Sequence, residues 1–231
     1  MPKGRTLMRL RKKAAEVDRR LTDGYGRHHL ELDDDPIAVL VETILSQNTT
    51  DVNSHRCFLA LKRRYSDWGE LLQEDWHEVA LIIRTGGLAE IKSKRIIGAL
   101  NHIMDKRGRL SLDFLTELEL DAADAWLSEI HGVGKKTRSI VLLFAFGMAT
   151  FPVDTHVHRV SMRLGLICQR TSRERAESEL SLLVPPEEYY NMHLNLIEHG
   201  RRVCRARNPG CSGCILSDLC ENRIGLGKPQ H

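Results

Sequence analysis

Four cysteines near the C-terminus are the residues best able to do chemistry. Cys204, Cys211, Cys214 and Cys220 follow a C-x6-C-x2-C-x5-C spacing within seventeen residues. Four thiolates that close together can surround one metal centre, and soft thiolates select zinc or an iron–sulfur cluster. The spacing is not the doubled C-x2-C of a zinc ribbon. A pair of disulfides is the alternative, and it needs an oxidising compartment. A second group lies upstream, in Ile130-His131-Gly132-Val133-Gly134-Lys135-Lys136-Thr137. Gly132 and Gly134 permit backbone conformations closed to other residues and let a phosphate come close. Amides of such a turn, and of the helix start after it, can bind an anion. The alternative is a plain helix–helix turn, since a lone G-x-G is weak evidence. Asp154 follows in Val153-Asp154-Thr155-His156. Aspartate at a helix start is a favoured N-cap.

The elements that must position these residues read as helices. The chain has 231 residues, 42% of them hydrophobic, enough for one large domain or two lobes. Leu7, Leu10, Ala14, Val17 and Leu21 form one apolar stripe over 5–22. Asp33-Asp34-Asp35-Pro36 starts a helix over 36–47 that is apolar nearly all round, so it should be central. Helices follow from Thr50-Asp51 to Arg64, over 71–83, from Ile91 to Gly108, and once or twice within 113–129. Others cover 137–146, closed by Gly147, then Asp154–Leu164, 173–183 and 187–203. The fold class is all-α.

Net charge is only +3, so composition does not announce a nucleic-acid binder. Its distribution says more. Residues 1–20 carry eight Lys/Arg against two acids, and Arg201, Arg202, Arg205 and Arg207 surround Cys204. Such clusters can neutralise phosphates, although the N-terminal run reads more simply as a solvated face. No segment looks like a signal peptide, and apolar runs such as Ile37–Leu45 are short and contain Glu42, so no membrane span is expected. An intracellular, soluble protein follows. Cys57 and Cys168 are expected to be ordinary buried thiols.

Four motifs in order resemble the endonuclease III family of DNA glycosylases, a likeness running from about residue 30 to Cys220. They are Leu45-Ser46-Gln47-Asn48-Thr49-Thr50-Asp51-Val52, Gly87-Leu88-Ala89-Glu90-Ile91-Lys92-Ser93, the hairpin with its aspartate, and the cysteine loop. The resemblance implies two helical lobes flanking a DNA cleft. One is a six-helix barrel with a helix–hairpin–helix over 29–148. The other, 1–28 with 149–231, carries a [4Fe-4S] cluster on loop 204–220. It implies Lys136 as nucleophile, forming an imine at C1′ of a damaged nucleotide, and Asp154 as its electrostatic partner. A helix N-terminus and the neighbouring Lys135 would disfavour the charged amine.

Asn48 falls where the family pattern has glutamine, a departure that keeps an amide; with Gln47 it could fill the space of a flipped base. Leu88 would wedge between base pairs. Gly132, Gly134, Lys135, His156, Arg205 and Arg207 are candidate DNA contacts, as is Lys92. Glu42 interrupts an apolar helix and lies where related adenine-mismatch glycosylases hold an acid; here it is expected to line the substrate pocket. The activity implied is a bifunctional glycosylase and abasic-site lyase on oxidised pyrimidines in double-stranded DNA, acting as a monomer. The alternatives are a monofunctional mismatch glycosylase and a non-catalytic DNA-binding protein.

Overall fold

The computed structural model describes residues 4–222, and every regular element among them is helical, ten α-helices with short 3-10 segments between. Its contacts divide into two compact units, Glu31–Met148, and Met1–Leu30 with Ala149–His231. The ends of the second, 1–3 and 223–231, lie outside the described residues.

The unit Glu31–Met148 is built on α2, Pro36–Leu45. Asp35 starts it by accepting a bond from the Ala38 N–H at 2.9 Å, with proline in the first turn. Asp35 also accepts from Trp68 Nε1 and Lys62 Nζ. Burial alone would raise this carboxyl, but the bonds from Trp68, Ala38 and Lys62 outweigh it and hold it below its ordinary value. Leu40, Val41, Ile44 and Leu45 are at most 1% exposed, so α2 is the axis of the core. Around it lie α3 (Asp51–Arg64), α4 (Trp76–Ile82), α5 (Ala89–Arg107), α6 (Leu120–Ser128) and α7 (Lys135–Phe146). The stretch 71–83 is not one helix. A 3-10 turn, Trp68–Leu72, opens with a reciprocal Asp67–Glu70 cap and ends at Gln73, and Asp75 then caps α4. Residues 113–129 likewise split into a 3-10 turn, Asp113–Glu117, and α6.

In the other unit, α1 (Gly4–Tyr25) and α8 (Thr155–Leu164) pack on α10 (Tyr189–Arg202), and α9 (Arg173–Ser181) packs on α8. Val17, Leu21, Phe151, Val157, Leu180, Met192 and Leu196 fill the core. Three basic residues of α1 turn to acids and carbonyls of their own unit: Lys13 to Glu221 at 2.9 Å, Arg20 to Asp218 at 2.5 Å and Arg11 to the Leu182 carbonyl at 2.7 Å. Cys168 departs from expectation. It is exposed, because it lies in the turn beyond α8 where its carbonyl, not its thiol, is engaged, by the Thr171 N–H. Cys57 is buried. No helix among the described residues is long and apolar enough to cross a membrane.

Asp18, on α1, costs this unit stability. Burial, and then the charge of Glu188, push its carboxyl from 3.8 up to about 6. A raised acid pKa means that the unfolded chain gives up the proton first, so stability falls as pH rises from 3.8 to about 6 and is flat above. Asp18→Asn keeps the oxygen that accepts from Asn191 Nδ2. We expect it to raise stability by about 1–2 kcal/mol at neutral pH, discounted for partial solvation. Urea denaturation at pH 5 and pH 8 checks the sign: the gain must be larger at the higher pH.

Candidate nucleic-acid interface and cysteine cavity

The hairpin is set by its glycines and two buried anchors. Ile130 and Val133 are 1% and 5% exposed, and the Val133 N–H donates to the Ile130 carbonyl at 3.1 Å. Gly132, at φ +83°, takes the left-handed conformation, and a Cβ there would lie 2.8 Å from the Arg95 side chain. Gly134 caps α7 and brings no side chain over the helix's first N–H groups. Lys135 opens α7, with its ammonium 3.3 Å from Asp124, which also accepts from Arg138 at 2.8 Å. Lys136 is the second residue of the helix and half-buried.

Two further segments of this unit carry left-handed residues other than glycine, which is uncommon and strained. Asn48, at φ 52°, is exposed in the turn after α2. Leu88, at φ 51°, precedes α5 and is 48% exposed, so it is no core residue. Gln47 behaves differently from Asn48. Its oxygen accepts from Arg95 Nη1 at 2.6 Å and its amide donates to the Gly132 carbonyl at 3.3 Å, tying the turn after α2 to the hairpin. Lys92 is not a phosphate contact: it is 1% exposed, and its ammonium donates to two backbone carbonyls. Glu42 leaves the apolar face of α2 with 42% of its side chain exposed and meets His55 Nδ1 at 3.1 Å.

In the other unit, Asp154 is the N-cap of α8 and accepts from the Val157 N–H at 2.7 Å. His156 is half-buried against α10, where a Cβ at Gly200 would lie 2.9 Å from its own, and its Nδ1 meets Arg159. Arg205 and Arg207 are exposed. Cys204, Cys211, Cys214 and Cys220 line one cavity together with Arg163 and His199. Among the described residues no three metal-binding side chains converge closely enough to hold a single ion. N–H groups nevertheless face the sulfurs: Arg163 donates to Cys204 Sγ at 3.3 Å, and the Leu216 N–H to Cys214 Sγ at 3.4 Å. Such donors stabilise thiolates. Burial pushes the Cys214 and Cys220 thiols up, so binding a centre there must also release their protons.

Residues 41–186 match the family model of the HhH-GPD superfamily of base excision DNA repair proteins. The endonuclease III of Thermotoga maritima is 34% identical over 94% of this chain and 97% of its own length. That of Synechocystis is 37% identical over 80% of each. The chain belongs to the endonuclease III family of this superfamily. It is therefore a base excision repair DNA glycosylase. A solved endonuclease III trapped as a covalent intermediate with DNA superposes with a TM-score of 0.78 at 28% identity, covering 91% of this chain and 95% of that one. A thermostable thymine-DNA glycosylase shares the fold, with a TM-score of 0.75 at 22% identity.

Reading the sequence of this endonuclease III family member did not single out four of these residues. Arg95 donates to Gln47 in the turn after α2, and Arg163 to Cys204 in the cysteine loop. His199 and Tyr25 bond to each other at 2.8 Å beside the cysteine cavity. A histidine among apolar residues at helical spacing on α10 was the one signal for that pair.

Proposed function

We propose that this glycosylase is bifunctional, cutting the strand as an abasic-site lyase after removing an oxidised pyrimidine. The observation that carries the reading is a lysine, Lys136, at the head of the helix that leaves the glycine hairpin. Its neutral amine attacks C1′ of the damaged nucleotide. The C1′–base bond breaks, its electron pair leaves with the base, and the base takes up a proton. Opening of the C1′–O4′ bond gives an imine between Lys136 and the sugar. The imine acidifies C2′; loss of that proton expels the 3′ phosphate by β-elimination. Asp154, held by its capping bond, stabilises positive charge on the sugar and helps move protons. The roles of the two residues rest on the motif each occupies.

Double-stranded DNA would be held through the hairpin amides of Gly132 and Gly134 and through Arg205 and Arg207, contacts that fix register without reading sequence. Lys135 and His156 would add to them. Leu88 would enter the base stack, and Asn48, the more exposed amide, would occupy the vacated space, while Gln47 braces the turn behind it. Two lobes, 29–148 and 1–28 with 149–231, acting as a monomer, complete the assignment. The four cysteines suit a [4Fe-4S] cluster: all sulfur, in one cavity, with N–H donors toward the sulfurs. When bound, the cluster would supply a structural cross-link that holds the loop bearing the exposed Arg205 and Arg207, and no step of the reaction.

A monofunctional mismatch glycosylase is the second reading, favoured by the half-exposed Glu42 with its His55 partner. Borohydride decides between them, because it reduces an enzyme–sugar imine to a stable link. The protein should be trapped on a duplex carrying one oxidised pyrimidine. Trapping at a preformed abasic site alone would keep the lyase and move the question to the base. No trapping on either would overturn the bifunctional reading in favour of Glu42.

A further inference from the structure

Lys92 is among the most deeply buried side chains of the molecule, 1% exposed, and its charge is an expense the core would avoid without a purpose. Burial pushes its ammonium below the ordinary lysine value. The Nζ donates to the carbonyl of Leu45 at 2.7 Å and to that of Gly86 at 2.8 Å. Those carbonyls belong to two segments that are remote in sequence. Leu45 ends α2, three residues before Asn48, and Gly86 stands two residues before Leu88. The backbone N–H of Lys92 donates to the Leu88 carbonyl at 2.9 Å, so the glycine–leucine loop hangs from this residue at two points. The room around the node is tight. A Cβ at Gly86 would meet Cys57 Sγ at 2.9 Å and lie 3.9 Å from Lys92 Nζ. Cys57 Sγ in turn lies 3.4 Å from both the Ile83 carbonyl and Thr85 Oγ1.

We propose that Lys92 is a positioning residue for base extrusion, a buried charged tie that fixes the strained Asn48 and Leu88 relative to each other by holding the Leu45 and Gly86 carbonyls on one ammonium. The proposal rests on the reading of Leu88 as the wedge and Asn48 as the gap-filler. A wedge does its work by pushing a base step open while an amide fills the gap, so an error in their separation is felt only when the duplex is distorted. The phosphate contacts proposed for Gly132, Gly134, Arg205 and Arg207 do not pass through Lys92.

The test uses the full chain and a duplex with a stable abasic analogue opposite 2-aminopurine, whose fluorescence rises on unstacking. No catalysis is needed, so the readout does not depend on an imine. Lys92→Met preserves length and removes the ammonium. It should keep its helicity and its affinity for undamaged duplex within about twofold, lose most of the fluorescence rise, and excise base about 100-fold more slowly at saturation. A full-size rise in a folded Lys92→Met protein would overturn the proposal and leave the wedge reading standing. No rise in the unmodified protein would sink both. Should Lys92→Met not fold, Lys92→Gln, which retains two N–H donors, is combined with Leu88→Ala. Losses of fluorescence that fail to add support an action through Leu88, and additive losses overturn it.

Discussion

Lys136→Ala will give no covalent complex with borohydride, on a lesion-bearing duplex or on an abasic site, and single-turnover strand cleavage will fall on the order of a thousandfold or more. The change removes the one atom that must bond to C1′, and no neighbour replaces it at the same place. Lys135 is the nearest amine in sequence, but its charge is held 3.3 Å from the Asp124 carboxylate. Lys135→Ala should therefore remain trappable. Binding to undamaged duplex should change little in Lys136→Ala, since the hairpin amides stay in place. Asp154 can be separated from its capping role in the same assay. Asparagine caps as well as aspartate, so Asp154→Asn keeps the bond from the Val157 N–H and loses only the charge. A rate loss of about 10²–10⁴ with unchanged melting temperature would assign the carboxylate to chemistry. A loss of stability with unchanged rate would return it to the helix.

What the sequence made legible follows from the range of the forces involved. The helix starts of α2, α3 and α8 depend on a cap and its first turn, all within three residues, and Asp35, Thr50 and Asp154 could be read directly. The hairpin is equally local. The stretch 71–83 misled because its apolar spacing continues across a break that only the caps at Asp67 and Asp75 reveal. Lys92 misled for a different reason. A lysine one turn after the Gly-Leu loop reads as a surface cation, and what holds it in the core is the Leu45 carbonyl 47 residues away. Gln47 and Asn48 could not be told apart in sequence, since both are amides in one turn; the distinction comes from Arg95 and Gly132, distant partners that claim one of them. Cys168 and Cys57 show the same limit: solitary cysteines carry no pattern, so exposure was decided by a turn in one case and by the core around α3 in the other.

Cys214→Ala will purify with little or no iron and with a melting temperature lower by about 10–15 °C, from a loss of about 4–5 kcal/mol. Cys214 is the cysteine to replace because two nitrogens face its sulfur. Its sulfur accepts from the Leu216 N–H at 3.4 Å and lies 3.5 Å from His199 Nε2, whose ring is 1% exposed and pushed down to about 4 by that burial. Without a centre, burial pushes the Cys214 and Cys220 thiols up, and the chain from Val203 to Cys220 is held by short turns. A centre bonded to all four sulfurs cross-links that chain to itself at four points, and a 3-10 turn of three residues, Cys211–Gly213, cannot substitute for it. Cys168→Ala is the control: its thiol is exposed and outside the cavity, so iron content and melting should be unaffected. Full iron in Cys214→Ala would remove this cysteine from the ligand set. Stoichiometric zinc in place of iron in the unmodified protein would overturn the cluster and retain the four-thiolate site.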